Sequence, residues 1–226
     1  MKIVKIVTQW LFILCLPALL LTASLSAAMN CRALYEYGFS KYDISRVTGL
    51  VPAELTKAAD GLIDYFNSGE EYISVTVIKN GQPFTLFNER EVQHLKDVKG
   101  LFWLDYKVLI GTGVYALIFL GVTLFWWRDR RRLAWALLGG GGLTLTLMAA
   151  VGIMIAVDFD WFFIQFHLLS FANDFWQLNP ATDYLLMMFP DGFWFDATLF
   201  CALGTGVMAI ILGGVGWWLK RKSGIK

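Results

Sequence analysis

Leu133 to Val157 reads LAWALLGGGGLTLTLMAAVGIMIAV, and no charged residue interrupts it. At about 1.5 Å of rise per residue, a helix of this length crosses a hydrocarbon core of about 30 Å. Arg128, Arg130, Arg131 and Arg132 stand before it and Asp158 directly after it. Three more charge-free runs, Ile6 to Met29, Val108 to Trp127 and Ala197 to Leu219, have comparable lengths. All four are read as membrane-spanning helices, over residues 6–29, 108–127, 133–157 and 197–219. Composition agrees, because 57% of the 226 residues are hydrophobic and only 16% are charged, outside the usual soluble range. The net charge of +1 gives no reason to expect nucleic acid as a partner.

Orientation follows from Lys and Arg near the span ends, which cytoplasmic segments retain in excess. Lys2 and Lys5 precede the first run, the arginines fill the turn at 128–132, and Lys220, Arg221 and Lys222 open a tail at 220–226. Both termini are therefore expected in the cytoplasm, with segments 30–107 and 158–196 outside. The second outer segment carries six Asp and no Lys or Arg. The expected fold is an all-α membrane protein of four transmembrane helices, with a small α+β extracytoplasmic cap and an aromatic interfacial loop.

The first run also has a basic start and the small residues Ser24, Ser26, Ala27 and Ala28, as a cleaved signal peptide would. Its length exceeds the roughly 7 to 15 residues of a signal core, so it is read as a retained helix. Cys15 and Cys201 lie inside spans, leaving only Cys31 outside them; no internal disulfide framework and no zinc-finger spacing is available.

The segment 30–107 reads as helix, hairpin, helix. Pro52 and Glu54 open a pattern that places Leu55, Ala58, Ala59, Leu62, Ile63 and Phe66 on one side and ends near Asn67-Ser68-Gly69. Ile73, Val75 and Val77 then alternate with other residues, Asn80-Gly81 supplies a tight turn, and Phe84 and Leu86 alternate on the return. Asn88 with Glu91 has the spacing of a capping box, starting a helix through His94, Asp97 and Leu101 toward the second span. Glu91, His94 and Asp97 then share a face. Two carboxylates beside an imidazole would orient it and keep it basic; alternatively, Glu91 is only a cap and Asp97 only solvated.

The segment 158–196 is different, with twelve aromatic residues between Trp161 and Phe195. Aromatic rings concentrate at headgroup depth, so this segment is read as an interfacial loop. His167, Asp158, Asp160, Asn173, Asp174 and Asp183 interrupt it, and such groups at membrane depth are costly unless they pair or serve a function. His94 and His167 are the only histidines in the chain, and one falls in each outer segment. Zinc is one reading, since imidazole and carboxylate are suitable ligands, but there is no HExxH motif and no third histidine, and no metal or other cofactor is expected. Without a GxSxG motif, serine nucleophilic catalysis has no support, and general acid–base work by histidine remains.

The second outer segment contains Asp158-Phe-Asp160, Phe166-His167, Asn173-Asp174, Trp176, Pro180-Ala-Thr182-Asp183, Met188-Phe189-Pro190 and Phe193, and the first contains Phe87, Glu91, His94 and Asp97-Val98. This pattern resembles the bacterial lipoprotein intramolecular transacylase family over most of the chain from about Tyr35. Leu95 departs from the methionine expected after the histidine. The resemblance implies an enzyme whose substrate is a diacylated bacterial lipoprotein. The acyl chain at the glyceryl sn-2 position moves to the α-amino group of the N-terminal cysteine, leaving a lyso-form product. The nucleophile then belongs to the substrate.

His94 and His167 are accordingly expected as the acid/base pair, with Glu91 and Asp97 setting the state of His94. Asp160, Asn173, Trp176 and Asp183 are expected to orient or bind substrate, Asn173 or Trp176 steadying the ester carbonyl. Gly111 with Gly113, Gly139 to Gly142, and Gly204 with Gly206 allow close helix contact or a lipid groove. Membrane lipid is an expected partner, and the chain is expected to act as a monomer. Two other readings stand beside this one: a non-catalytic membrane component that binds a lipidated partner, and a membrane metallohydrolase.

Overall fold

The computed structural model of the chain describes residues 2–222. The end of the expected tail, Ser223 to Lys226, lies outside the described residues, as does Met1. Four helices among the described residues are long and apolar enough to cross a membrane. In chain order they are α1 (Lys2–Met29), α5 (Glu89–Gly121, prolonged by a π-helical turn Val122–Trp126), α6 (Arg130–Val157) and α9 (Asp191–Lys222). Between them come α2 (Arg32–Lys41), α3 (Ile44–Thr48), α4 (Pro52–Asn67), strands β1 (Thr76–Lys79) and β2 (Gln82–Thr85), α7 (Phe159–Ser170) and α8 (Tyr184–Met188). This is the multi-pass, mainly helical membrane architecture with a small two-stranded element that the sequence implies.

The chain divides into two compact units. The first takes the chain up to Ser26, Asp105–Val157 and the chain from Phe200 on. Its core contains Phe12, Leu16, Leu20, Phe119, Leu137 and Ala209, and the Phe12 and Phe119 rings stack at 4.5 Å. Glycine decides how closely α6 and α9 approach: a Cβ on Gly141 would lie 2.9 Å from the Ala209 carbonyl oxygen, and one on Gly216 would lie 2.9 Å from that of Ala134. Close contact is thus the role of Gly141, whereas Gly111 and Gly142 face open space. A polar seam joins α1 to α5 and α9, with Ser26 Oγ donating to Asp105 Oδ2 at 2.5 Å and Thr205 Oγ1 donating to Ser24 Oγ at 3.0 Å.

The second unit takes Ala27–Leu104 and Asp158–Leu199. Pro52 stands in the first turn of α4, where its missing N–H costs nothing. The predicted apolar side of α4, Leu55, Ala58, Ala59, Leu62 and Phe66, is buried against Val75, Val77 and Leu86 of the hairpin. Asn80 and Gly81 have φ of 53° and 77°, as a type I′ turn requires. The strands pair antiparallel with Thr76 opposite Thr85. The marginal stability of a lone hairpin is offset by this packing, and Glu54 Oε2 accepts from Ile78 N at 2.8 Å.

One unbroken α5 carries His94 and continues into the second charge-free run, as the helix expected from Asn88 toward that span implies. Two sequence expectations change. The segment 158–196 is not mainly a loop, since it holds α7, α8 and the start of α9. Asp158 caps α7 by accepting from Trp161 N at 2.8 Å, a start signal masked by the continuous apolar run behind it. Nor are all the aromatics an interfacial belt: Phe189 and Phe193 are core residues packed with Tyr35 and Phe39, while Trp161, Phe166 and Phe195 are exposed.

Candidate active site

The site begins at the start of α5. Asn88 Oδ1 accepts from Glu91 N at 3.1 Å and Glu91 Oε2 accepts from Asn88 N at 2.7 Å, the reciprocal capping box. Glu91 is 1% exposed, and its other oxygen accepts from Leu185 N at 2.6 Å. Leu185 lies in the first turn of α8, where amides lack intrahelical partners, so Glu91 caps two helices at once. Asp183 immediately precedes α8 but does not cap it. Its carboxylate accepts from Asn179 N at 2.7 Å, Asn88 Nδ2 at 3.0 Å and Thr182 Oγ1 at 3.0 Å. Burial raises the Glu91 carboxyl above its ordinary range, the two amides oppose this, and Asp183 adds to the rise.

His94 lies one turn further along α5, before the charge-free run that starts at Val108 and so outside the spanning segment. It is 7% exposed, and its Nδ1 is buried without a hydrogen-bond partner. Burial pushes its pKa down to about 4, the neighbouring His167 acts in the same direction, and Asp97 opposes them. The expectation that two carboxylates keep His94 basic is therefore corrected. Both Glu91 oxygens are occupied by backbone amides, Asp97 Oδ2 accepts from Asn173 Nδ2 at 2.8 Å, and desolvation of the ring outweighs what attraction remains.

His167 is the one buried residue of α7. Its Nδ1 lies 2.7 Å from the Phe163 carbonyl oxygen. A carbonyl can only accept, so Nδ1 carries the proton and the Nε2 lone pair is available. Aromatic rings enclose it: Phe163 at 4.3 Å, Trp176 at 4.9 Å, Phe166 edge-on at 5.3 Å and Phe171 at 5.5 Å between centroids. Burial lowers the His167 pKa, and the bond to Phe163 opposes this. The two imidazole centroids are 6.1 Å apart, with Phe171 edge-on to His94 at 5.1 Å.

Trp176 is held over His167 by a loop pinned to α5 through Asn173 on Asp97 and through Arg90 Nη2, which donates to the Asp174 carbonyl at 2.5 Å. Asn173 Oδ1 also accepts from Phe175 N at 3.1 Å, so this residue braces the loop. Asp160 lies in the exposed first turn of α7, with no side-chain hydrogen bond to either histidine. Of the expected residues, then, His94, His167 and Trp176 come together. Asp97 and Asn173 brace the pair, Glu91 and Asp183 form a clip behind it, and Asp160 stands apart. Sequence reasoning missed Arg90 and the roles of Phe163 and Phe171, although positions four before and four after His167 would share its helical face.

Two neutral imidazoles in an apolar enclosure can take and return protons. Among the described residues no group of three or more His, Cys, Asp or Glu is placed to hold a metal ion.

A family model described as lipoprotein intramolecular transacylase Lit matches residues 10–194. A protein of Aquifex aeolicus, described as uncharacterized, is 26% identical over 212 residues, 88% of this chain and 93% of that one. The in meso structure of the membrane integral lipoprotein intramolecular transacylase Lit from Bacillus cereus is similar with a TM-score of 0.84 at 21% identity, covering 99% of each chain. A variant of that protein with one histidine changed to alanine gives a TM-score of 0.79 at 20% identity, over 98% of this chain and 96% of that one. At these identities the two solved structures speak for the fold.

Proposed function

We propose that this chain, which belongs to the lipoprotein intramolecular transacylase Lit family, performs its acyl transfer with His94 and His167 as the acid/base pair. The substrate is a lipoprotein whose N-terminal cysteine carries a diacylglyceryl thioether. Its α-amino nitrogen attacks the sn-2 ester carbonyl, a C–N bond forms, and the C–O bond to glycerol breaks. One proton leaves nitrogen and one arrives on the departing sn-2 oxygen, so the histidines return to their starting state.

The observation that carries this reading is the pair of buried imidazoles, 6.1 Å apart, with Nδ1 of His167 on the Phe163 carbonyl. His167 takes the amine proton on Nε2, and the imidazolium that forms is steadied by the Phe163 carbonyl and the face of Trp176. The proton passes to the sn-2 oxygen directly or by way of His94. Because both pKa values are lowered, the general acid is created within the reaction from the substrate's own proton. Amine and ester lie in one molecule, and holding them together can supply about 7 to 11 kcal/mol.

The same reading puts both termini in the cytoplasm, the histidines in the two extracytoplasmic segments, acyl chains among the exposed aromatic residues of α7, and one chain per active unit. The test is mass spectrometry of a reporter lipoprotein's N-terminal peptide from a host lacking other N-acylation. The intact chain should move one acyl group from glycerol to nitrogen at constant acyl number, and the double variant His94→Ala, His167→Ala should not. Transfer that survives the double substitution overturns the assignment.

A further inference from the structure

The first unit has a groove that the acyl transfer does not use. It has a volume of about 450 Å³ and is lined by Gln9, Trp10, Ile13 and Leu14 of α1 with Trp135, Gly139 and Leu143 of α6. That volume lies within the roughly 300 to 1,000 Å³ of small-molecule sites. Trp10, Leu14 and Trp135 are exposed along it, so it opens toward lipid. Gly139 contributes to its floor: a Cβ there would already lie 3.0 Å from Ile13 Cδ1.

The groove lies at the basic end of the bundle. Lys2, Lys5, Arg128, Arg130, Arg131, Arg132, Lys220, Arg221 and Lys222 flank the span ends on this side, with Asp129 the one carboxylate in the turn at 128–132. Arg132 is already engaged, pairing with Asp129 at 3.3 Å and donating to Lys5 O at 2.6 Å and Gln9 Oε1 at 2.8 Å, so it shapes the mouth. Lys220 is different. Its ammonium lies over the Trp135 ring at 4.2 Å, and no carboxylate among the described residues pairs with it. An apolar groove whose lining Trp135 carries a half-buried, unneutralised ammonium on its ring is complementary to a ligand with an acyl chain and an anionic head.

We propose that this groove is a binding site for one anionic phospholipid of the surrounding bilayer, with an acyl chain along Trp10, Ile13 and Leu143 and the phosphate on Lys220. A zwitterionic lipid fills the same groove but brings its own cation to a surface that already has an excess of them. The site therefore selects by head-group charge, and the apolar wall sets only how firmly a chain is held.

The experiment is native mass spectrometry of the full chain in detergent, titrated separately with phosphatidylglycerol and phosphatidylcholine. The intact chain should retain one phosphatidylglycerol at least about ten-fold more tightly than phosphatidylcholine, the scale of one charge-assisted contact. Lys220→Gln should remove most of that preference. Lys222→Gln makes the same charge change at the same helix end, but its ammonium lies over Trp218 at 4.4 Å, away from the groove lining, and it should leave the preference intact. Leu14→Trp, at an exposed lining position, should weaken retention of both lipids; if its melting curve shows misfolding, the two lysine variants decide alone. Equal retention of the two lipids by the intact chain overturns the proposal. So does an equal loss in Lys220→Gln and Lys222→Gln, which would reduce the effect to diffuse charge.

Discussion

The pH dependence of acyl transfer tests the neutral histidine pair most directly. A productive encounter needs the substrate α-amine unprotonated and the accepting imidazole neutral. The amine has a pKa of about 7.7 to 8.0, so below about pH 7 its neutral fraction falls ten-fold per unit. An ordinary imidazole near pKa 6.5 would add a second ten-fold per unit below that value. His94, held at about 4 by burial, stays neutral to within a few per cent at about pH 5.5, where an ordinary imidazole is about nine-tenths protonated. The logarithm of kcat/KM should thus fall with a slope near one below about pH 7, steepening to two at a pH below 6.5 where His167 is the accepting base and not before about 4 where His94 is. The assay is the initial rate of N-acylation of a diacylated lipopeptide by detergent-solubilised protein, read by mass spectrometry across buffers of constant ionic strength. A break to slope two at pH 6.5 or above would refute the desolvated pair, and a flat limb there would mean that a resting imidazolium acts as the acid. Melting curves in the same buffers guard against unfolding. The folded pKa of His94 is depressed below the unfolded 6.5, so its stability contribution is complete above 6.5 and is lost as pH falls toward about 4, a loss of at most about 3 kcal/mol for the 2.5-unit difference.

Three further outcomes follow from the packing. Glu91→Gln replaces one acceptor oxygen with a donor that faces a backbone amide, so about 1.5 to 3 kcal/mol of stability should go; abolished transfer with an unchanged Tm would mean that the carboxylate touches substrate. Trp176→Ala opens the enclosure of His167 to water, and the slope break in the pH–rate profile should move up toward 6.5; an unmoved break would show that Trp176 does not desolvate the ring. Gly141→Ala pushes a Cβ onto the Ala209 carbonyl, 2.9 Å away, and should lower the detergent Tm by the equivalent of about 1 to 3 kcal/mol, while Gly142→Ala, facing open space, should not.

What could be read in advance was local. The four apolar runs, the Asn80-Gly81 turn and the Asn88-Glu91 capping box each lie within one stretch of chain, and each appears in the fold. Partnerships between distant segments could not be read. The second oxygen of Glu91 reaches Leu185 N, and Asp183 reaches Asn88, contacts that make a clip between helices of Glu91, expected to set the state of His94, and Asp183, expected to orient or bind substrate. Phe189 and Phe193 looked like neighbours of Phe195 in one aromatic belt, yet the first two fill a core and the third is exposed. Composition marks the depth at which rings gather, but only tertiary packing chooses which of them turn inward. For His94, spacing identified the nearest carboxylates without revealing that each was already engaged.

That engagement bears on the chemistry. If Glu91 and Asp97 held His94 as an imidazolium, a fixed positive charge would sit beside the nitrogen that turns positive as it attacks, and like charges in a weakly screened site repel strongly. With the carboxylates committed to backbone amides and to Asn173, both imidazoles rest neutral. The only positive charge that arises in the site is then on the substrate nitrogen as the neutral amine attacks, and His167 removes that proton as the C–N bond forms. The imidazolium so formed is strongly acidic for the same reason that it was hard to form, because a depressed pKa favours giving the proton away. On the proposed route, desolvation of the pair drives donation to the departing sn-2 oxygen. That is why a chain with no activated serine or cysteine needs little more than two buried rings and a means of holding amine and ester together.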